Sequence, residues 1–176
     1  MNRLPLAVAL VTAIVAAPLL LGGCSLVDEA LRGSQSASHP PANAGIAPDR
    51  VGCVEGTAIY TQTSSRNVLT TTCATVTVSG NGISLTAANV THLTLSGNNI
   101  TAGVAVVGDL VISGSNDTLK LTGVGPVTIS GSDDTLTAIG SIGDVTVVGS
   151  NNTVSTPGKI GTIVQTGQGN HIGSTG

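Results

Sequence analysis

Residues 111–136 read VISGSNDTLKLTGVGPVTISGSDDTL and hold two copies of one pattern, VISGSNDTL at 111–119 and TISGSDDTL at 128–136. In each copy a β-prone triplet leads into a glycine, and polar turn residues follow that glycine. A fixed period of this kind predicts a repeat architecture in which each unit stacks on the next. The recurring glycines, spaced by 17 or 18 residues, are Gly80, Gly97, Gly114, Gly131, Gly149 and Gly167.

Aliphatic residues recur at fixed offsets from these glycines, which is typical of stacked strands with one inward face. The column five residues after the glycine is Leu85, Ala102, Leu119, Leu136, Val154 and Ile172. Three later columns are Val90, Val107, Val124, Ile142 and Ile160; then Leu93, Leu110, Val127, Val145 and Ile163; then Leu95, Ile112, Ile129, Val147 and Gln165. We therefore predict an all-β, single-domain parallel β-solenoid (β-helix) over residues 51–176, with about six to seven coils of 17–18 residues.

The composition agrees with a narrow aliphatic core and excludes some functions. Aromatic residues are 1% of the chain and charged residues 9%, with a net charge of -3. A disordered chain would be more polar, whereas the mean hydropathy here is +0.40. Nucleic-acid binding needs a basic footprint, and the repeat region carries only Arg66, Lys120 and Lys159 as cations, so we expect no nucleic-acid partner.

One column changes from aliphatic to polar along the chain. The residues three after each glycine are Ile83, Ile100, Asp117, Asp134, Asn152 and Asn170. Stacked Asn and Asp side chains can hydrogen-bond from coil to coil, so we predict a structural ladder of Asp117, Asp134, Asn152 and Asn170. The alternative is a calcium-binding module with Asp117, Asp133 and Asp134, because GSNDTL at 114–119 and GSDDTL at 131–136 resemble half of a calcium-binding β-roll repeat. Calcium needs about six to eight oxygens, and the opposite half of each coil lacks the Gly-Asp pattern.

The first 24 residues predict export and lipid anchoring. Asn2 and Arg3 precede an apolar run over residues 4–21, and Leu21-Gly-Gly-Cys24 ends it. This end resembles a bacterial lipobox, which implies diacylglycerol on the Cys24 thiol and cleavage before Cys24. We expect a lipoprotein signal peptide at 1–23 and a lipidated cysteine with a flexible Ser/Pro-rich linker at 24–50. The alternative is a transmembrane segment, for which about 18 residues is near the minimum.

Lipidation of Cys24 leaves an even pair of cysteines in an oxidising compartment. We therefore predict a Cys53–Cys73 disulfide, which closes a loop of about 20 residues. A metal site built on the same pair lacks further ligands, since His92 and His171 lie far along the chain. We expect no metal and no cofactor.

The sequence shows no catalytic constellation. His92 and His171 have no acidic residue at a suggestive spacing, and Asp133 and Asp134 would point to opposite faces of a strand. We predict a membrane-anchored cell-envelope lipoprotein on the extracytoplasmic face, a non-catalytic structural or binding module whose partner is an envelope glycan or protein. The enzymatic alternative is a polysaccharide-active β-helix centred on Asp117, Asp133 and Asp134.

The 20-residue step from Cys53 to Cys73, the run Val76-Thr-Val-Ser-Gly80 and the repeated Val-Ser-Gly-Ser-Asn-Asn-Thr-Val-like units together resemble a known pattern. They are similar to a domain-of-unknown-function family typical of actinobacterial, notably mycobacterial, secreted proteins and lipoproteins. The resemblance covers about residues 51–174. Gln62, Ile83 and Ile100 depart from the pattern, and the family carries no established activity to transfer.

Overall fold

The computed structural model describes residues 49–176, which form parallel strands and no helix and wind into a β-solenoid of about seven turns. This confirms the predicted fold class. Within the same residues, no helix is long and apolar enough to cross a bilayer. The predicted signal peptide at 1–23 and Cys24 lie outside the described residues, as does the linker up to residue 48.

Thirteen strands make up the described part of the chain. They are β1 (Asp49–Val51), β2 (Thr57–Tyr60), β3 (Arg66–Leu69), β4 (Cys73–Val78), β5 (Ser84–Leu95), β6 (Thr101–Ile112), β7 (Thr118–Val124), β8 (Val127–Ile129), β9 (Thr135–Ala138), β10 (Val145–Val148), β11 (Thr153–Thr156), β12 (Ile163–Thr166) and β13 (His171–Ser174).

The strands pair in two parallel series that share β5 and β6. One series runs β1-β3-β5-β6-β7-β9-β11-β13, and the other runs β2-β4-β5-β6-β8-β10-β12. The register follows the sequence period, with Leu85 opposite Ala102 and Leu95 opposite Ile112. Residues of the inner coils therefore lie between the equivalent residues of the coils above and below, as the glycine spacing predicts.

The interior is a stack of aliphatic side chains. Strands β6, β7 and β9 alternate buried and exposed residues, so that Ala102, Leu119 and Leu136 form one continuous inward column. Tyr60, the only aromatic residue of the chain, lies inward in β2 and is buried. Ile163 and Gln165 were predicted to point inward, but both are exposed in β12, because no described coil covers that strand.

Each coil turns at a residue in the left-handed region. In the glycine-initiated coils this is the second residue after the glycine, and the φ angles of the turn residues lie between 55° and 71°. Asn and Asp tolerate this conformation better than other non-glycine residues, which explains the recurring polar turn dipeptides. Their amides pair with the coil above, as when Asn116 N donates to Ser132 O at 3.0 Å. The turn residues are Ser64, Gly82, Asn99, Asn116, Asp133, Asn151 and Gly169.

The repeating glycines are required because adjacent coils almost touch at this corner. A Cβ built on Gly114 would overlap the carbonyl oxygen of Gly97, one coil below, and the same overlap recurs at Gly97, Gly131, Gly149 and Gly167. At Gly80 a Cβ would lie 2.5 Å from the carbonyl oxygen of Gln62. At this corner the backbone of one coil contacts the backbone of the next, so there is no space for a side chain.

The predicted Cys53–Cys73 disulfide is present, with the two Cα atoms 5.8 Å apart. Cys73 is fully buried and opposes Val90 in the next coil. The bridge therefore ties the segment before β2 to the foot of the aliphatic core, where the solenoid has few coils beneath it to hold it.

Replacing Gly114 with alanine should destabilise the solenoid by about 3 kcal/mol, because the added methyl meets backbone that cannot move without displacing a whole coil. The matched control is Gly103→Ala, since a Cβ at Gly103 has nothing within 4 Å. That control should leave stability unchanged or slightly raised, as expected for a strand glycine replaced by alanine. Urea unfolding followed by circular dichroism measures both, and equal stabilities for the two variants would contradict the steric argument.

Candidate functional site

The polar column predicted three residues after each glycine lies inside the solenoid. Asp117, Asp134 and Asn152 are buried, and Asn170 is half-buried at the last coil. Each follows a left-handed turn residue, such as Asn116 before Asp117, and precedes the first strand of its coil. The turn sends the chain back toward the axis, so this side chain enters the interior beside the glycine corner.

Every member of the column accepts a hydrogen bond from the backbone of the coil below. Ile100 N donates to Asp117 Oδ1 at 2.8 Å, and Asp117 N donates to Asp134 Oδ1 at 2.9 Å. The series continues as Asp134 N donates to Asn152 Oδ1 at 3.0 Å and Asn152 N to Asn170 Oδ1 at 2.9 Å. The ladder thus joins side chain to backbone rather than side chain to side chain.

The asparagines make a second bond that the aspartates lack. Asn152 Nδ2 donates to Gly131 O at 3.0 Å, and Asn170 Nδ2 donates to Gly149 O at 2.9 Å. An asparagine therefore pairs with both a carbonyl and an N–H of the turn beneath it. The remaining oxygens, Asp117 Oδ2 and Asp134 Oδ2, are buried and have no partner in residues 49–176.

Burial governs the acidity of these two aspartates. Loss of solvation raises the pKa of Asp117 to about 6, against the lowering effect of the bond from Ile100 N. Burial likewise raises the pKa of Asp134 to about 6; the Asp117 amide lowers it, and the charges of Asp117 and Asp133 raise it further. Both side chains therefore favour the neutral form more strongly than ordinary carboxyl groups.

The three aspartates weighed for calcium do not face one another. Asp117 and Asp134 point into the core, whereas Asp133 is an exposed turn residue with φ of 59°. Across residues 49–176, no group of three His, Cys, Asp or Glu side chains is placed to hold a metal ion. Asp133 and Asp134, the pair considered for polysaccharide cleavage, are separated in the same way. The carboxyl group of Asp133 is exposed to solvent, whereas that of Asp134 lies in the core.

One contact between a histidine and a carboxylate was not predicted from the sequence. His92 Nδ1 lies 2.5 Å from Asp109 Oδ1, with the two side chains 56% and 44% exposed. They are 17 residues apart and oppose each other in β5 and β6. The repeat period could have revealed this contact, since residues 17 positions apart lie beside each other in adjacent coils. A histidine–carboxylate contact this exposed contributes little stability.

A shallow surface groove crosses β5, β6, β7 and β9. It opens at Gly103, which stands between Thr86 and Lys120 in an outward column and has no side chain to fill the gap. Lys120 places a cation at its edge. Its lining is Thr86, Gly103, Val104, Ala105, Lys120, Leu121, Thr122, Thr137 and Ile139.

The second groove lies over β11 and β13, near the end of the described solenoid, and is lined by Thr153–Ser155 and His171–Thr175. Of the predicted site residues, the structure brings Asp117, Asp134, Asn152 and Asn170 into one column and places Asp133 outside it.

In comparisons with known proteins, no family model, curated protein or solved structure matches the chain.

Replacing Asn152 with alanine should lower the free energy of unfolding by about 1–3 kcal/mol, because it leaves Gly131 O and Asp134 N without partners in the interior. Asn89→Ala is the matched control, since Asn89 is an exposed strand asparagine. We expect that control to change stability by less than about 0.5 kcal/mol. If both variants unfold at the denaturant concentration of the parent protein, the ladder contributes no stability.

Proposed function

We propose that this protein is an exported lipoprotein, held on the extracytoplasmic face of a cell membrane by lipid on Cys24, with the solenoid as a non-catalytic structural or binding module. The observation that carries the proposal is the division of the three cysteines. Cys53 and Cys73 form a disulfide, and Cys24 remains at the end of an apolar run, in Leu21-Gly-Gly-Cys24.

The disulfide supports export independently of the first 24 residues. Disulfides form and persist outside the reducing cytosol, and small secreted domains use them where the core is limited. This bridge links the divergent N-terminal coil to the core at Cys73, which is the end that a linker and lipid would hold. Residues 51–174 also resemble a family typical of actinobacterial secreted proteins and lipoproteins, which agrees with a location outside the cytosol.

The solenoid suits display rather than catalysis. About seven coils at the spacing of paired strands give a rod of about 30 Å, whose backbone is paired along both series of strands. Threonine recurs in one outward column at Thr77, Thr94, Thr128 and Thr146, where Val111 interrupts the series. Exposed aliphatic residues such as Ile59, Val106 and Ile139 lie elsewhere on the surface. A rod whose backbone is paired in this way has little conformational entropy to lose on binding.

The surface chemistry restricts the partner. Sugar-binding sites often stack the ligand on aromatic rings, but the chain's one aromatic side chain, Tyr60, is buried. Recognition of an envelope glycan or protein would instead use hydroxyl and amide hydrogen bonds, with the groove at Gly103 and Lys120 as the contoured part of the surface. Glycan arrays and envelope pull-downs with the purified chain test this part, and empty results would favour a purely structural role.

Replacing Cys24 with alanine should move the protein from the membrane fraction to the soluble fraction and abolish incorporation of a labelled fatty acid such as palmitate. Lipid on this thiol provides more than one acyl chain, which is enough for stable anchoring. The control is Cys53→Ala, which removes the disulfide but should keep label and membrane association. Persistent fatty-acid labelling of the Cys24→Ala variant would refute the assignment.

A further inference from the structure

We propose that Asp117 and Asp134 are proton-binding sites inside the solenoid. Each holds a proton on Oδ2 and donates it to a carbonyl oxygen of the coil below, Gly97 O for Asp117 and Gly114 O for Asp134. The solenoid therefore binds protons as it folds and is more stable in mildly acidic than in neutral solution. Both aspartates belong to the solenoid core, so their protonation does not depend on the lipid anchor.

The asparagines of the same column provide the reference geometry. A Cβ on Gly149 would lie 3.1 Å from Asn152 Nδ2 and would overlap Gly131 O. The amide nitrogen and the carbonyl oxygen thus border one small space beside the glycine Cα. The hydrogen bond between them, 3.0 Å long, crosses that space.

The aspartates place an oxygen in the same position. A Cβ on Gly114 would lie 2.7 Å from Asp117 Oδ2 and would overlap Gly97 O. One coil higher, a Cβ on Gly131 would lie 2.5 Å from Asp134 Oδ2 and would overlap Gly114 O. In both coils a carboxyl oxygen stands where asparagine has its NH₂ group, facing the carbonyl that the NH₂ group would bind.

Only the protonated carboxyl satisfies this arrangement. A carboxylate has acceptors alone and would set two oxygens against each other, whereas a carboxylic acid has one O–H donor. Its Oδ1 still accepts the backbone N–H from below, from Ile100 for Asp117 and from Asp117 for Asp134. A neutral aspartic acid therefore makes the same two bonds as Asn152, and the orphaned Oδ2 atoms acquire partners.

The charged neighbours favour the neutral form as well. Asp117 faces Asp134 in the coil above, and Asp134 faces Asp117 and the adjacent Asp133. The other members of the column, Ile100 and Asn152, are uncharged. Among residues 49–176 the salt-bridge contact joins His92 to Asp109, and no Lys, Arg or His side chain pairs with either buried aspartate.

The direction of the pH effect follows from linkage. Both aspartates have a pKa of about 6 in the folded protein, against the ordinary value of 3.8. Between these values the folded state binds more protons than the unfolded state, so stability falls as the pH rises. The contribution is complete below about pH 4, is lost through about pH 6 and stays absent above it. Over that window the unfolding equilibrium constant should rise about 100-fold for each aspartate.

The first experiment is urea unfolding of the full chain between pH 3.5 and pH 8. Asp117→Asn and Asp134→Asn should each raise the unfolding midpoint at pH 7.5 and reduce its pH dependence, and the double variant should reduce it most. Asp133→Asn is the matched control, because it removes an exposed neighbouring carboxylate at a turn that asparagine also favours, and should leave the dependence largely intact. Lower stability of the double variant at pH 7.5 would overturn the proposal.

A second measurement locates the protons in the unaltered chain, whether or not the variants fold. The ¹³Cγ resonances that Asp117→Asn and Asp134→Asn identify should titrate with midpoints near pH 6. Midpoints below pH 4 would show carboxylates and overturn the proposal. Millimolar calcium at pH 7.5 separates proton from metal. It should leave the unfolding midpoint unchanged, whereas a rise in the parent chain that is absent from the double variant would mean that these oxygens hold a cation.

Discussion

The structure depends on one close contact, the approach of each corner glycine to the carbonyl oxygen of the glycine one coil below. Parallel strands fix the distance between coils, and at this corner the two backbones meet with no space for a Cβ at Gly97, Gly114, Gly131, Gly149 or Gly167. A bulkier residue would separate the coils and break the strand pairing on either side. Each coil therefore needs a glycine at this corner, and the spacing between these glycines is the period of the repeat.

The rest of each coil follows from that corner. The chain leaves the glycine through one residue, turns at a left-handed residue such as Asn116, and directs the next side chain inward. That side chain lies beside backbone groups that the corner leaves without strand partners. Isoleucine fills the space in the lower coils, at Ile83 and Ile100, while asparagine fills it and also bonds the carbonyl and N–H of the coil beneath.

Aspartate has the size of asparagine but one fewer donor, and this difference is decisive in a buried column. On the surface water would satisfy the second oxygen, as it can for Asp133. In the interior the oxygen of Asp117 must find a donor, carry a proton or remain unpaired at considerable cost. The interior of the solenoid thus determines the protonation of its buried acids, whereas an exposed acid such as Asp133 is solvated.

The sequence by itself determined the period, the inward columns and the polar column, because in a solenoid residues one period apart become neighbours. It also indicated the disulfide, because Cys53 and Cys73 are the pair that remains once Cys24 is assigned to lipid. Only the tertiary structure decided which atoms meet at each corner. It placed Asp117 Oδ2 against a glycine carbonyl, put His92 beside Asp109, opened a groove at Gly103 and left Ile163 and Gln165 exposed. A repeat specifies which residues stack, whereas turn conformation, side-chain direction and the cover over the last coil depend on the three-dimensional path of the chain.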